Sequence, residues 1–438
     1  MKEEWTMQKN NYLIKYFKTL YILLFSLGLA LSYWYAMHQI VDGDITQMLD
    51  KGYHGFFTGE WSSYGNAASV VGNVPGSLLA LVVGLPLFIV DSPWAPMSFL
   101  ILLKAGSFFL LDNVIKHSFD NTIRLVFLVI YWLNPWFLFE NILYNPSYLF
   151  FFSALHLWSA FQLREKNSFF YSFLHLLSIG MAMQLHYSWI ILAVMSLFLL
   201  YKNIVKVNWF GVFFAAFVIV VSLIPYIQEF MQNEAIRQNQ DAKDGDRYIG
   251  WGGIHVYPVL KAFLYWLRYG SFIFTNKLVT GANFDWLTTI AIMQQVLKYA
   301  YQVVIFAFGA LTLWISFQAN KYLYQKIKGT YFRRYQEETN LQAWLQNYIL
   351  AALTGILVSA ILSPIVFNYW HLLIIFPFAL FPFLLYIYNE KKEKISSYFL
   401  PIVIYLFCIN LIAAIDSKKY DLHADYSEQV VQYIADKK

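Results

Sequence analysis

Long apolar runs, following one another along the whole chain, fix what this sequence can fold into. A helix needs roughly 17–25 apolar residues to cross the hydrocarbon core of a bilayer, or slightly fewer where polar residues flank it. Such runs occur at about 19–37, 95–111, 125–143, 148–163, 170–183, 188–201, 209–225, 296–318, 346–363, 369–388 and 398–415. One more, Ser77 to Val90, is interrupted by Gly84 and Pro86. Of 438 residues, 59% are hydrophobic and 20% aromatic, and only 13% are charged, about half the proportion usual in soluble domains. That balance argues against a cytosolic enzyme, a disordered regulator or a nucleic-acid-binding domain. The single cysteine, Cys408, lies inside an apolar run, so no disulfide framework is expected. The expected fold class is an all-α polytopic membrane protein with about eleven transmembrane helices.

Lysine and arginine favour the cytoplasmic side of a membrane. If the 77–90 run lies along or dips into the outer face without crossing, most of the basic residues fall in 1–18, 112–124, 164–169, 202–208, 319–345 and 389–397. If it crosses alone, every later loop inverts and the basic stretches 321–334 and 391–394 land outside. The first arrangement is preferred: a multi-pass cell-membrane protein, amino terminus cytoplasmic, carboxyl terminus outside. The first span has no small-residue cleavage motif and reads as an uncleaved anchor. No internal repeat separates the chain into parts, so 1–438 is taken as one transmembrane domain.

With this topology the unusual polar residues collect on the outer face, as expected where that face does the work. The first outer loop, 38–94, holds Asp42, Asp44, Asp50, His54 and Glu60, together with membrane-parallel or re-entrant helices. Short outer turns hold Asn145, His186, and Asn368-Tyr369-Trp370-His371. The long outer segment 226–295 includes 258–280, whose spacing of Lys261, Arg268 and Lys277 among apolar residues predicts an amphipathic interfacial helix. Asp42-Gly43-Asp44 follows the first span closely. A carboxylate there can serve as general base toward an acceptor hydroxyl, and a pair can hold a divalent cation; Asp-Gly is also an ordinary turn dipeptide. Lys104 lies near the middle of its span and requires a partner or an interface. Glu140 is similar, but nearer water. The Asp-rich stretch 240–253 lacks the terminal Glu of a calcium loop and reads as a solvated loop. There is no P-loop, no His-Glu-x-x-His and no Gly-x-Ser-x-Gly.

At these positions the chain resembles the GT-C class of integral membrane glycosyltransferases, in particular the protein O-mannosyltransferase and aminoarabinose transferase branch. The resemblance rests on Asp42-Gly43-Asp44 with Gly52 beyond it, Asn73-Val74-Pro75-Gly76-Ser77-Leu78, and Lys104-Ala105-Gly106-Ser107. It continues with Asn145-Pro146, where the family has Asp-Pro, and with Asn368 through Pro377, covering roughly 1–390 in order and topology. It implies inverting transfer of a sugar from a polyprenyl-phosphate donor to a glycan, lipid or protein acceptor on the extracytoplasmic face. Asp44 or Asp42 would be the catalytic base. His54, Glu60, Lys104, Asn145, His186, Tyr369 and His371 would be substrate-binding residues. No cofactor is implied with certainty, and a divalent cation is left open because related transferases differ. The implied partners are the lipid-linked donor, membrane lipid and the acceptor, with no nucleic acid.

Two rivals remain. A lipid or lipid-linked glycan transporter or flippase requires ionisable residues near the bilayer midplane on several spans; in the sequence only Lys104 is plainly so placed. An O-antigen polymerase or ligase would lean on outer-loop residues such as Arg247 and His255.

Overall fold

A computed structural model describes residues 12–38, 43–67, 72–92, 94–234, 256–271, 282–329, 331, 340–363, 367–415, 432 and 434–436. The first half runs as helix α1 (Phe17–Met37), helix α2 (Gly43–Tyr53), an antiparallel hairpin of β1 (Tyr64–Ala67) and β2 (Asn73–Pro75), then α3 (Leu78–Ile89), α4 (Trp94–Ser118) and α5 (Asn121–Trp132). There follow a short α6 (Pro135–Phe139), then α7 (Leu149–Leu163), α8 (Phe169–Met183), α9 (Trp189–Lys202) and α10 (Trp209–Gln232). The second half holds α11 (Val256–Gly270), α12 (Ala291–Ile327), α13 (Leu341–Leu362), α14 (Phe376–Ala379), α15 (Phe381–Tyr386) and α16 (Ile395–Ile415).

Six helical stretches among the described residues are long and apolar enough to cross a membrane: α1, α4, α10, α12, α13 and the compound run Tyr369–Ile415. Other apolar helices are too short to cross a bilayer straight on. With 12 residues each, α3 and α5 span about 18 Å at 1.5 Å per residue, against a hydrocarbon core of about 30 Å. The amphipathic segment expected over 258–280 is helical over Val256–Gly270, and its buried residues Pro258, Ala262, Tyr265, Trp266 and Tyr269 share one face. Residues 272–280, like the 240–253 loop, Arg247 and His255, lie outside the described residues.

Two expected spans are broken. The 125–143 run stops being helical at Trp132 because Pro135 disfavours helical geometry at the preceding Asn134. Asn134 instead caps α6, accepting from the Trp136 N–H at 3.0 Å, and the chain continues through a turn into a 3-10 helix, Asn145–Tyr148. The 369–388 run is split into a 3-10 helix, Tyr369–Ile375, then α14 and α15, with Pro377 and Pro382 in their first turns. Irregular backbone in an apolar bundle must sit inside protein, where side chains can satisfy it. Here the two breaks pack on each other, with Phe376 against Tyr131 at 5.6 Å and against Phe150 at 5.5 Å between ring centroids.

Side chains satisfy the carbonyls freed by the first break. Asn410, fully buried on α16, donates to the Leu133 carbonyl at 2.9 Å and accepts from the Tyr35 hydroxyl of α1 at 2.9 Å. Lys104 and Asn141 serve the Phe137 and Leu138 carbonyls. Elsewhere backbones touch directly. A Cβ on Gly84 of α3 would lie 2.4 Å from the Gly52 carbonyl oxygen of α2, so this crossing needs glycine.

The connecting segments sort into two ends of the bundle. At one end Lys392 pairs with Asp120 at 2.5 Å, Lys206 N–H donates to Leu163 at 2.7 Å, and Trp344 donates to Ile204 at 3.0 Å. Arg124 there makes a forked pair with Asp112, at 3.0 and 2.6 Å, which the Tyr21 hydroxyl completes at 2.9 Å. At the other end the hairpin, the 144–148 and 184–187 turns and the 369–371 segment meet.

Candidate functional site

Buried polar groups concentrate at the break between α5 and α7. Lys104 is 1% exposed and Glu140 0% exposed, an ammonium and a carboxylate inside an apolar bundle where either alone is costly. The Lys104 ammonium donates to the Phe137 carbonyl and to Asn141 Oδ1 at 2.9 Å. It also lies over the Phe137 ring at 4.1 Å, and the Glu140 carboxylate is near enough to act on it electrostatically. Glu140 accepts from the Ser147 hydroxyl at 2.9 Å through Oε2, whereas its buried Oε1 has no hydrogen-bond partner among the described residues. The Tyr148 hydroxyl and Arg268 Nε are buried and unpartnered in the same way.

Trp136, in the first turn of α6, is the hub. The Arg268 guanidinium lies 5.2 Å from its ring, Tyr269 meets it edge-on at 5.1 Å, and Tyr369 packs at 5.5 Å. The Tyr269 hydroxyl donates to the Tyr369 carbonyl at 2.6 Å. Asn145 donates to the Leu185 carbonyl at 2.8 Å, joining the break to the 184–187 turn.

In that turn, His186 lies 5.6 Å from His371, ring to ring. His186 Nδ1 accepts the Ser188 backbone N–H at 3.2 Å, and His371 Nδ1 accepts the Asn368 N–H at 2.9 Å. When neutral, each ring therefore carries its proton on Nε2. Burial, aided by the neighbouring His371, lowers the His186 pKa to about 3, so this imidazole is neutral at physiological pH and offers an N–H.

The hairpin covers this end. Gly76, at φ 85°, turns the chain from β2 toward α3, and a Cβ there would strike the Gln184 side chain at 2.3 Å. The Tyr187 hydroxyl donates to the Asn73 carbonyl at 2.8 Å. On the neighbouring strand Asn66 donates to the Asp44 carbonyl at 3.0 Å. Asp44, half-buried in the first turn of α2, is thus tied through the hairpin to the end that carries the two imidazoles. Lys51, on the same helix, donates to the Tyr64 carbonyl at 3.0 Å, and burial lowers its pKa to about 8.

Of the residues expected from sequence, Lys104, Asn145, His186, Tyr369 and His371 come together, with Asp44 on the covering layer. Asp42 lies outside the described residues. His54 and Glu60 form an exposed group with Asp50, at 3.3 Å from His54 to Glu60 and 3.5 Å to Asp50. No hydrogen bond or ion pair of His54 or Glu60 among the described residues reaches the Trp136 cluster. A divalent cation needs several converging donors, and among the described residues no three of His, Cys, Asp and Glu are so grouped.

The sequence reading left Trp136, Glu140, Asn141, Tyr148 and Arg268 out of the site; its one available signal was Asn134-Pro135, a helix stop inside an apolar run. It also passed over a second buried group, in which His156 and His175 rings stand 4.1 Å apart. Their Nε2 atoms lie 2.8 and 2.9 Å from the shared Ser196 hydroxyl, and the Tyr348 hydroxyl is 2.6 Å from His156 Nδ1. No family model, no curated protein and no solved structure matches this chain.

Proposed function

We propose that this chain is a multi-pass membrane glycosyltransferase, oriented with the hairpin end extracytoplasmic and the Lys392–Asp120 end cytoplasmic. It moves a sugar from a polyprenyl-phosphate donor to an acceptor hydroxyl, and its bundle crosses the membrane about eleven times once short and broken helices are counted. The observation that carries this reading is the buried Lys104–Glu140 pair at the break that follows α5, in a bundle interior that also holds the buried, unpartnered Arg268 Nε and Tyr148 hydroxyl. Groups left unsatisfied at such depth are costly unless a ligand completes them.

The lipid carrier presents its phosphate at the membrane surface. Arg268 and the Nε2–H groups of His186 and His371 are the donors for it, and Lys104 adds positive potential from below. The acceptor arrives from water. Asp44, half-buried, takes the hydroxyl proton, whereas Glu140 is shut away from the aqueous side and balances Lys104. The acceptor oxygen attacks the anomeric carbon as its bond to the phosphate oxygen breaks. That oxygen leaves with the bonding pair, and its charge is stabilised by donors already in place. One displacement inverts the anomeric centre. The covering hairpin keeps water from the donor.

Transport of a lipid-linked substrate is the second reading, favoured by the two broken helices and by His156 and His175 on adjacent helices. One experiment separates them. The purified protein is incubated with a panel of polyprenyl-phosphate sugars and released polyprenyl phosphate is measured; in parallel, reconstituted vesicles are assayed for movement of the same lipids between leaflets. Release without movement supports the transferase. Movement without release across the whole panel overturns it.

A further inference from the structure

A cavity of about 570 Å³ opens at the end of the bundle remote from the hairpin, between α5, α12, α15 and α16. Its wall is almost wholly apolar, with Ile130, Leu311, Phe383, Phe399 and Ile402 among its residues, yet its rim holds Lys391 and Lys394. We propose that it binds one anionic phospholipid, with an acyl chain in the cavity and the phosphate on the two lysines.

The shape suits a chain rather than a compact solute. On α16 the lining residues Ile395, Tyr398, Phe399, Ile402 and Tyr405 repeat at helical spacing. They make a trough about 15 Å long. Pro401 lies in the same wall and cannot donate the usual helix hydrogen bond.

Charge selects the headgroup. Lys392 is committed to Asp120. Lys391 and Lys394, on either side of it, are exposed and have no ion-pair partner among the described residues. Glu390 and Glu393 share this turn but do not line the cavity.

The third observation is Tyr405. Its ring stacks on Phe308 at 4.0 Å, while its hydroxyl is buried without a partner among the described residues. Aromatic side chains on a helix lean toward its N-terminus, here toward the lysine rim. Tyr405 stands about 15 Å along α16 from Ile395, so its ring closes the deep end of the trough where the acyl chain would stop.

The inference needs only the cavity and its rim, not the transferase reading. Its test is native mass spectrometry of the delipidated full chain in detergent, offered equimolar phosphatidylglycerol and phosphatidylcholine. Wild type should retain phosphatidylglycerol by a preference on the order of tenfold. Lys391→Gln with Lys394→Gln, both on exposed residues, should bring that preference close to one, and Ile402→Trp should reduce retention of both lipids by filling the trough. Equal retention by wild type, or an undiminished preference in the double variant, overturns the proposal. So does displacement of phosphatidylglycerol by equimolar polyprenyl phosphate, which would give the groove to the carrier lipid instead.

Discussion

The Lys104 ammonium donates to Asn141 Oδ1 at 2.9 Å in the interior of the bundle. That bond, with its partner to the Phe137 carbonyl, joins the middle of α4 to the break that follows α5. Replacing Lys104 with Met keeps the volume but strands the Phe137 carbonyl and leaves Glu140 without a balancing charge. A loss of about 3–5 kcal/mol is expected, read as a lowered melting temperature in detergent. Adding Glu140→Gln should restore part of it, because the uncompensated carboxylate is then gone. Additive losses in the double variant would show that the two side chains do not act on each other.

Asp44→Asn tests the assignment of the base. The amide keeps the size of the side chain at the start of α2 and leaves the Asn66 bond to the Asp44 backbone carbonyl intact. Release of polyprenyl phosphate should fall by at least about 10²-fold, the usual contribution of a general base, with melting temperature within about a degree or two of wild type. Full activity in this variant and in Asp42→Asn would remove the proposed mechanism.

Helix positions were legible wherever an apolar run was unbroken: α1, α7, α8, α9 and α16 begin and end close to the runs that predicted them, whereas α4, α10 and α13 extend beyond theirs at one end. The loops divided by Lys and Arg content also meet their own kind, as Lys392 with Asp120 and Asn145 with Leu185 show. Periodicity could not show that Pro135, Pro377 and Pro382 would break two runs and bury the fragments, since hydropathy registers composition and not backbone geometry. The polar cluster followed the same rule. His186 and His371 stood out because they sit in turns, whereas Glu140, noted as a charge near the end of its span, and Arg268, noted only within an amphipathic pattern, gained a place in the site from the tertiary fold around Trp136.

His186 supplies a pH dependence. Burial lowers its pKa from the usual 6.5 to about 3, so below pH 6.5 the unfolded chain binds a proton that the folded protein refuses. Stability therefore falls as pH drops through that window and is unaffected above it. A loss of about 2 kcal/mol by pH 5 is expected from this group, seen as a declining melting temperature. His186→Gln should flatten the decline; an unchanged slope would locate the acid sensitivity elsewhere.

At the opposite end, the pair Arg124–Asp112 is closed by Tyr21, and Asp112 is 6% exposed. Asp112→Asn should cost about 3 kcal/mol, since it leaves a partly buried guanidinium without its carboxylate. Thermal unfolding at low and high salt checks both the size of the loss and its origin: a shielded pair responds weakly to ionic strength. A variant as stable as wild type would mean that Arg124 finds water in place of Asp112.

Orientation has the most direct test. Cys408 is the sole cysteine and is exposed, so Cys408→Ser provides a background for single cysteines at 54 and 328. His54 belongs to the α2 and hairpin layer, whereas Lys328 follows the far end of α12, whose 37 residues extend about 55 Å. No bilayer core of about 30 Å can hold both ends of such a helix in one leaflet if the helix crosses it. An impermeant maleimide added to intact cells should label position 54 and spare 328 until the membrane is opened. The reverse pattern would place the Trp136 cluster in the cytoplasm, where the Lys/Arg-rich loops would have had to cross. Labelling of both positions from outside would mean an even number of crossings between them, against the odd number expected.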